Sequence, residues 1–316
     1  MNKNIIDNIK KAHSLTNNKP DEYFVAYDNI YKLLQKRLNV NFDKEYLVYY
    51  SESGEVTRFG YEEFIKKAFK LANYLLENGI RKEARVGTFL HNHYDTVILY
   101  FACWSIGATV VPVNVNEEPA RVNYIFKDSN TRMVFTLQMY EEILKEAVHD
   151  LPGELVLFDT LDYSQEKDRV MQRQLVDRET EAMIVYTSGT TGNPKGVVLT
   201  QYNMMIDADG IAIWHKLYKD DTMMCVLPIH HVNGTVVTIM TTMYYGGKLV
   251  LNQKFQTDKF LQRLQDESVK IVSVVPTLLQ FMNHSNEDVS KYNLENFSHI
   301  ICGAGPLTCE VARNFE

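Results

Sequence analysis

The sequence has little cysteine, no long apolar run and no excess of positive charge, and each shortage excludes a class of protein. The four cysteines among 316 residues are scattered and form no CxxC pair, so we expect free thiols in a reducing cytosol rather than disulfides. No apolar run reaches the ~18 residues of a membrane-spanning helix, and the first 20 residues lack the apolar core of a signal peptide. The net charge of -7 argues against a nucleic-acid surface, for which clustered Lys and Arg are usual. These absences predict a cytoplasmic protein without a membrane span or a nucleic-acid partner.

Short apolar runs alternate along the chain with segments of helical periodicity, an arrangement that predicts βαβ units and largely parallel sheets. The length exceeds what a single core usually supports, so we expect an α/β protein with two domains or subdomains. The predicted strands are Arg85–Leu90, Thr109–Val113, Met133–Thr136, Leu155–Phe158, Met183–Tyr186, Met223–Leu227, Lys248–Leu251, Ile271–Val275 and His299–Cys302. The predicted helices are Tyr61–Asn78, His93–Ile106, Glu118–Lys127, Met139–Val148 and the regions near 200–216, 232–245, 257–267, 276–284 and 306–315.

The organisation along the chain follows from where this alternation stops. Residues 1–40 are polar, with apolar residues at helical spacing, and predict a helical N-terminal extension. The stretch 159–180 is charged and aperiodic, so we expect a first α/β subdomain over residues 41–165 and a second over 166–316. The chain ends inside the last predicted helix, without a glycine stop or a polar tail. We therefore expect a truncated protein or a fragment, with the second subdomain incomplete at its C-terminal end.

Residues 184–198, IVYTSGTTGNPKGVV, place a loop rich in hydroxyls and glycines directly after an apolar strand. Glycines allow several backbone N–H groups to point at one anion and allow that anion to approach closely. The hydroxyls add donors, and Lys195 adds a positive charge that can lie against a phosphate. A flexible surface turn is the alternative, but turns rarely combine four hydroxyls, three glycines and a lysine after a buried strand. The loop is predicted to bind polyphosphate.

This loop does not have the Walker A pattern, which requires Gly-x-x-x-x-Gly-Lys-Ser/Thr. Counted from Gly189, the sixth position is Pro194 and the eighth is Gly196, so both requirements fail. No hydroxyl follows the lysine to hold magnesium, which disfavours a P-loop ATPase or GTPase.

The segment YTSGTTGNPKGV resembles the signature of the adenylate-forming (AMP-binding) superfamily, which includes acyl-CoA and aryl-CoA synthetases, peptide-synthetase adenylation domains and luciferases. The order of features along the whole chain is similar too. The resemblance implies the large N-terminal domain of an acyl/aryl-CoA synthetase-like enzyme, with two α/β subdomains whose largely parallel sheets are flanked by helices. In that family the loop grips the ATP phosphates while a carboxylate attacks the α-phosphate. The ATP-contacting residues that it implies are Thr187, Ser188, Gly189, Thr190, Thr191, Gly192 and Lys195.

A pair of adjacent histidines lies in the segment LPIHHVNG at 227–234. Adjacent side chains point in different directions and no further ligands stand at metal-binding spacing, so by itself the segment indicates an ordinary helix start. The family carries a similar Pro-x-x-His stretch, whose final His or aromatic residue lies beside the acyl group and the α-phosphate. The resemblance therefore implies a catalytic position for His231 on the acid and α-phosphate side. The substrate-binding residues that it implies are His230, His231, Val232, Asn233 and Gly234.

The segment IICGAGPLT at 300–308 is a strand followed by a glycine turn. It does not fit the dinucleotide-binding fingerprint, because the third glycine would fall at Thr308. A tight turn with Pro306 in the first helical turn is the plain alternative. The family has a similar Gly-Ala-x-Pro-Leu segment whose backbone packs on the adenine, which implies nucleotide contacts from Gly303, Ala304, Gly305 and Pro306. By contrast, His91 and His93 follow a predicted strand and are expected at the surface.

Several family segments have no counterpart in this chain and would fall after Glu316. They are Tyr-Gly-x-Thr-Glu, which supplies the magnesium-holding glutamate, Tyr-x-Thr-Gly-Asp, which binds the ribose, and the C-terminal lid with its catalytic lysine. We therefore expect no metal ligand in this chain, although the resemblance implies ATP and Mg²⁺ as cofactors of the full-length enzyme. Lys195 and backbone donors would neutralise the phosphates poorly, so we expect the chain not to turn over by itself.

The sequence thus predicts the N-terminal part of an ATP-dependent carboxylic acid ligase. The full enzyme would form an acyl-AMP and transfer the acyl group to a thiol, with coenzyme A as the favoured acceptor. A carrier-protein phosphopantetheine arm is the alternative acceptor, and a non-catalytic nucleotide-binding module is the alternative of another class. A P-loop phosphohydrolase is a more distant one. The expected partner is a small-molecule carboxylic acid, which composition does not identify.

Overall fold

Two six-stranded sheets form the framework of the protein, in a computed structural model that describes residues 25–151, 153–171, 175–187, 193–285 and 287–315. The strands are β1 Glu45–Tyr50, β2 Val56–Gly60, β3 Arg85–Phe89, β4 Thr109–Val113, β5 Thr131–Thr136, β6 Glu154–Leu157, β7 Glu181–Thr187, β8 Lys195–Thr200, β9 Thr222–Cys225, β10 Lys248–Asn252, β11 Ile271–Val274 and β12 His299–Cys302. The helices are α1 Ile30–Val40, α2 Tyr61–Glu77, α3 Tyr94–Ile106, α4 Pro119–Asp128, α5 Glu141–Val148, α6 Gln201–Trp214, a π-helix Asn233–Met240, α7 Thr241–Tyr245, α8 Thr257–Asp266, α9 Pro276–His284 and α10 Cys309–Phe315.

Each sheet is parallel except at one edge. Sheet I has the order β12-β11-β9-β10-β1-β2 and sheet II the order β6-β5-β3-β4-β7-β8. The antiparallel pairs are β1 with β2 and β7 with β8. The predicted α/β class with largely parallel sheets flanked by helices is therefore confirmed.

The main core lies between the two sheets, and helices fill it. Its largest hydrophobic cluster joins inward-facing residues of both sheets through α1, α2, α3 and α6. Helix α3 buries its residues Thr96–Ile106 completely, which explains why its sequence is apolar on every side. Helices α4 and α5 cover the outer face of sheet II, and α8 and α9 cover that of sheet I. Among the described residues, no helix is both long and apolar enough to cross a bilayer.

The predicted boundary at 165/166 does not separate the two sheets. Strands β1 and β2 precede it but belong to sheet I, whereas β7 and β8 follow it but belong to sheet II. The reason is tertiary pairing: β1 lies parallel to β10, with Leu47 opposite Leu249, some 200 residues away. The described part of the predicted N-terminal extension, α1, is helical and belongs to the core, because Ile30, Leu33 and Leu34 are fully buried.

Candidate active site

The carboxyl ends of the parallel strands in both sheets meet at one edge of the molecule. Asn92, which follows β3 of sheet II, donates hydrogen bonds to Leu227 O after β9 and to Asn252 O at the end of β10, both in sheet I. Ligands of α/β proteins bind outside this end of the strands, because the loops that follow them converge there. Among the described residues, those predicted for the site lie at the ends of β7, β9 and β12 or in the segments that follow these strands.

The polyphosphate loop connects β7 to β8. Thr187 at the end of β7 pairs with Lys195 at the start of β8, and both side chains are exposed. Among the described residues, no carboxylate forms an ion pair with Lys195, so its charge is open to an anion. The predicted phosphate contacts Ser188, Gly189, Thr190, Thr191 and Gly192 lie outside the described residues. We call the described flanks of this loop, Thr187 and residues 193–195, the phosphate hairpin.

The histidine segment forms a tight turn after β9, which we call the histidine turn (residues 227–231). Its backbone is bonded from within, since His231 N donates to Pro228 O over 3.2 Å. Side chains hold it from both flanks, because Tyr100 of α3 donates to Ile229 O over 3.3 Å and Thr235 donates to the same oxygen. This bonding fixes the direction in which the two histidines leave the chain.

The two histidines of this turn face different surroundings although their ring centroids lie 4.2 Å apart. His230 is half-buried, and its Nε2 is enclosed without a hydrogen-bond partner among the described residues. Burial, together with His231, lowers the pKa of His230 to about 3. His231 is exposed, and the atoms packed around its ring lower its pKa, partly offset by the carboxylate of Glu117. Both rings are therefore neutral at pH 7, so either can donate one hydrogen bond and accept another.

His230 borders a cleft of about 500 Å³ between the loops of the two sheets. His91, Asn116 and Tyr140 from sheet II and Gln253 from sheet I also line it. The expectation that His91 and His93 are surface residues is corrected, because both are half-buried and His91 lines this cleft. His91 Nδ1 lies 3.2 Å from the hydroxyl of Tyr140, and burial, then His93, lowers its pKa to about 4. His93 packs its ring against Tyr49 and caps α3 by accepting from Asp95 N.

A π-helix follows the histidine turn where a single helix over 232–245 is predicted. Its residues Asn233–Met240 give way to an α-helix at Thr241. Gly234 packs against the turn so closely that a Cβ there would lie 2.5 Å from Pro228 O. Extra-wide turns of this type occur mostly at functional sites. Of the predicted acid-side residues, Val232 is exposed and Gly234 is buried.

The glycine segment after β12 lies farther along the same edge of sheet I. Ala304 has a φ of 58°, a left-handed conformation that is uncommon outside glycine and frequent at functional sites. A Cβ on Gly305 would lie 3.5 Å from Pro276 Cδ, so the segment rests against the start of α9. The predicted helix start at Pro306 is wrong, because α10 begins at Cys309 after Thr308 Oγ1 accepts from Val311 N.

The structure thus places the three sequence-predicted segments on one edge, in two groups. The histidine turn and the glycine segment follow β9 and β12 of sheet I, with β11 between these strands. The phosphate hairpin belongs to sheet II, beside β4, whose following loop brings Glu117 towards His231. Sequence reasoning missed Asn92, Glu117 and Tyr140, which are single polar residues placed by tertiary contacts.

The described residues do not form a magnesium site. They contain no group of three or more His, Cys, Asp or Glu side chains placed to hold a metal ion. Near the histidine turn the carboxylates are Glu117, which acts on His231, and Glu52, which lines the cleft, and they are not grouped with further ligands of the kind that Mg²⁺ prefers among the described residues. We therefore assign no chemical step to a metal held by the described residues.

The model of the AMP-binding enzyme family matches residues 34–316, nearly the whole chain. The chain belongs to this family. A sulfoacetate–CoA ligase of Cupriavidus necator is 28% identical over 264 residues, which are 81% of this chain and 51% of that protein. A 2-succinylbenzoate–CoA ligase of Bacillus pumilus is 32% identical over 213 residues, 66% of this chain and 42% of that protein. The chain therefore spans about half the length of the curated relatives it matches.

Solved structures of the family share this fold. The inhibitor-bound N-terminal domain of FACL13 from Mycobacterium tuberculosis superimposes with a TM-score of 0.80 at 24% identity, covering 92% of this chain and 73% of that one. The expected family and fold are thus confirmed, and the relatives are CoA ligases that act on small carboxylic acids.

Proposed function

We propose that this chain is the N-terminal part of an AMP-forming acid–CoA ligase, a protein that activates a small carboxylic acid with ATP. The observation that carries the proposal is that three parallel strands, β7, β9 and β12, lead into the phosphate hairpin, the histidine turn and the exposed segment 304–306. A phosphate-binding loop alone fits any nucleotide-binding protein. Combined in one chain with neutral imidazoles that follow another parallel strand, such a loop fits a reaction between a nucleotide and a second polar substrate.

In the proposed reaction, a carboxylate oxygen of the acid attacks the α-phosphorus of ATP, and pyrophosphate leaves. A thiol then attacks the acyl carbonyl carbon, loses its proton, and displaces AMP. Lys195 would neutralise part of the phosphate charge, which grows on the leaving pyrophosphate. His231, being neutral, would donate a hydrogen bond to the acid or to an α-phosphate oxygen without adding a charge. Pro306 and the backbone before it would support the flat adenine ring.

We further propose that these 316 residues bind nucleotide and acid but do not complete the reaction. Charge neutralisation by one lysine falls short of what in-line displacement at phosphorus requires. Loss of one strong electrostatic contact typically lowers a rate about a hundredfold or more. ATP–pyrophosphate exchange should therefore be at least about a hundredfold slower than that of an intact ligase of the family.

Calorimetric binding tests the proposed function directly. ATP is titrated into the chain with and without acids: sulfoacetate, 2-succinylbenzoate, benzoate and straight-chain fatty acids. An acid that belongs to the site should change ATP affinity, because ligands of adjoining subsites are coupled reciprocally. Lys195→Ala should weaken ATP binding. Lys219→Ala should not, since Lys219 is exposed and precedes β9, at the opposite edge of sheet I.

The outcomes separate the alternatives. ATP binding that Lys195→Ala weakens, but that no acid alters, would favour the non-catalytic nucleotide-binding module. Hydrolysis of ATP in the absence of any acid would indicate the phosphohydrolase. Acid-coupled ATP binding supports the ligase, and adding coenzyme A or a phosphopantetheine carrier protein to the ternary mixture tests the acyl acceptor.

A further inference from the structure

The two halves of the site belong to different sheets, so something must hold them in register. The strands that flank the phosphate hairpin belong to sheet II, and the strand that precedes the histidine turn belongs to sheet I. A displacement reaction loses most of its rate when its reacting groups are misplaced by about 1 Å. A direct bond between the sheets at this edge would control that distance.

Asn92 makes such a bond with every polar atom of its side chain. The residue follows β3 of sheet II and is only 7% exposed. Its Nδ2 donates to Leu227 O over 2.9 Å and to Asn252 O over 3.0 Å, while its Oδ1 accepts from Ile229 N over 2.9 Å. Leu227 O and Ile229 N lie on either side of Pro228 in the histidine turn. One side chain from sheet II is therefore hydrogen-bonded to the backbone on both sides of that residue.

The segment that carries Asn92 is itself fixed to sheet II and α3. Thr136 of β5 donates to Phe89 O, and Thr96 of α3 donates to His91 O, each over 3.0 Å. His93 accepts from Asp95 N and so begins α3 immediately after Asn92. A shift of the histidine turn relative to sheet II must therefore break bonds to Asn92 rather than carry Asn92 along.

We propose that Asn92 is a positioning residue, which sets the place of His231 relative to the phosphate hairpin by bonding the histidine turn to sheet II. The catalytic consequence of this positioning rests on the proposed function. The hydrogen bonds between Asn92 and the histidine turn do not depend on it. Asn92 also borders the cleft that His230 lines, but its three polar contacts are with backbone groups. It acts through the backbone of Leu227 and Ile229.

The chain provides a matched control in Asn73 of α2. This residue is also buried, donates from Nδ2 to two backbone carbonyls, of Lys167 and Arg169, and accepts from Met171 N. It lies among residues that line no part of the candidate site. Asn92→Leu and Asn73→Leu therefore remove the same set of bonds, keep a similar volume and introduce no charge.

The experiment measures the pKa of the His231 imidazole by NMR in the 316-residue chain labelled at histidine, with His231→Gln to assign its signal. In Asn92→Leu the turn loosens, so the pKa of His231 should rise measurably towards its ordinary value. In Asn73→Leu it should stay unchanged. Pyrophosphate affinity, which reports on the hairpin, should be the same in both variants.

An unchanged His231 pKa in Asn92→Leu overturns the proposal, as does an equal shift in Asn73→Leu, because either result would make Asn92 an ordinary core residue. If either leucine variant does not fold, Asn92→Ser and Asn73→Ser, which shorten the side chain but keep it polar, decide the same comparison. The acid dependence of ATP binding is measured in parallel. Its absence from the unmodified chain would refute the proposed function and leave the test of the link intact.

Discussion

Substituting Gly234 by alanine tests whether the histidine turn is held as tightly as its geometry indicates. A Cβ at this position would lie 2.5 Å from Pro228 O and 2.9 Å from Ile229 Cα. Both are backbone atoms of the histidine turn, so no side chain can rotate away to make room. Either the turn or the first part of the π-helix must move.

The cost follows from the size of this overlap. Forcing one extra carbon into a closely packed site typically costs about 1–3 kcal/mol. We expect Gly234→Ala to lower the free energy of unfolding by that amount, and Tm by about 2–4 °C for each kcal/mol. Because the overlap is with Pro228 and Ile229, the same change should displace His231 and abolish the effect of an acid on ATP binding.

Gly210 provides the control for this experiment. It lies within α6, is exposed, and an added Cβ would meet nothing within 4 Å. Gly210→Ala should therefore raise the free energy of unfolding by about 0.8–1.0 kcal/mol through helix propensity alone. Urea unfolding followed by circular dichroism measures both variants. If Gly234→Ala were as stable as the unmodified chain while Gly210→Ala behaved as expected, the histidine turn would be able to shift at little cost. That result would contradict the rigidity inferred here.

Three further predictions concern single side chains. His231→Ala should remove the effect of the acid on ATP affinity and leave ATP affinity itself almost unchanged, as titration calorimetry can show. Burial opposes ionisation of Glu267, but hydrogen bonds from three neighbours outweigh it and lower its pKa. Glu267→Gln should therefore cost about 1–3 kcal/mol near pH 7, a deficit that shrinks as the pH falls below the ordinary glutamate pKa of about 4.3, whereas the exposed Glu142→Gln should cost nothing. The lowered pKa of His91 predicts stability that declines as the pH falls from about 6.5 towards 4, and His91→Asn should reduce this decline in thermal unfolding scans.

Most of the parallel part of the fold could be predicted from sequence because most of its strands are followed by a helix. The strands that were missed, β1, β2 and β8, are those outside this alternation. They form antiparallel pairs at the sheet edges, and β2 is mostly exposed, with little apolar signal. The sheet to which each strand belongs depends on pairing between distant segments, which no local pattern records.

The site divides in the same way. The phosphate hairpin and the histidine turn are contiguous in sequence, so their residue types were enough to predict them. The role of Asn92 could not be predicted, because it depends on hydrogen bonds to Leu227 and Ile229, more than 130 residues later in the sequence. The π-helix was missed for another reason. The same types of residue form α- and π-helices, which differ only in the pattern of their hydrogen bonds. Here Thr241 Oγ1 bonds back to Val236 O, five residues earlier.

Helix α3 gives the two halves of the site a common reference. Tyr100 donates to Ile229 O in the histidine turn of sheet I, and Trp104 Nε1 donates over 2.8 Å to Ala182 O of β7, the strand that leads into the phosphate hairpin. These residues are four apart, so about one helical turn, or roughly 6 Å, separates the two anchoring points along α3. Both side chains are buried, and α3 starts immediately after the segment that carries Asn92. Helix α3 thus adds a second, buried link between the acid side and the phosphate side to the one that Asn92 makes. Substitutions inside the inter-sheet core should therefore alter the coupling between acid and nucleotide without touching either ligand.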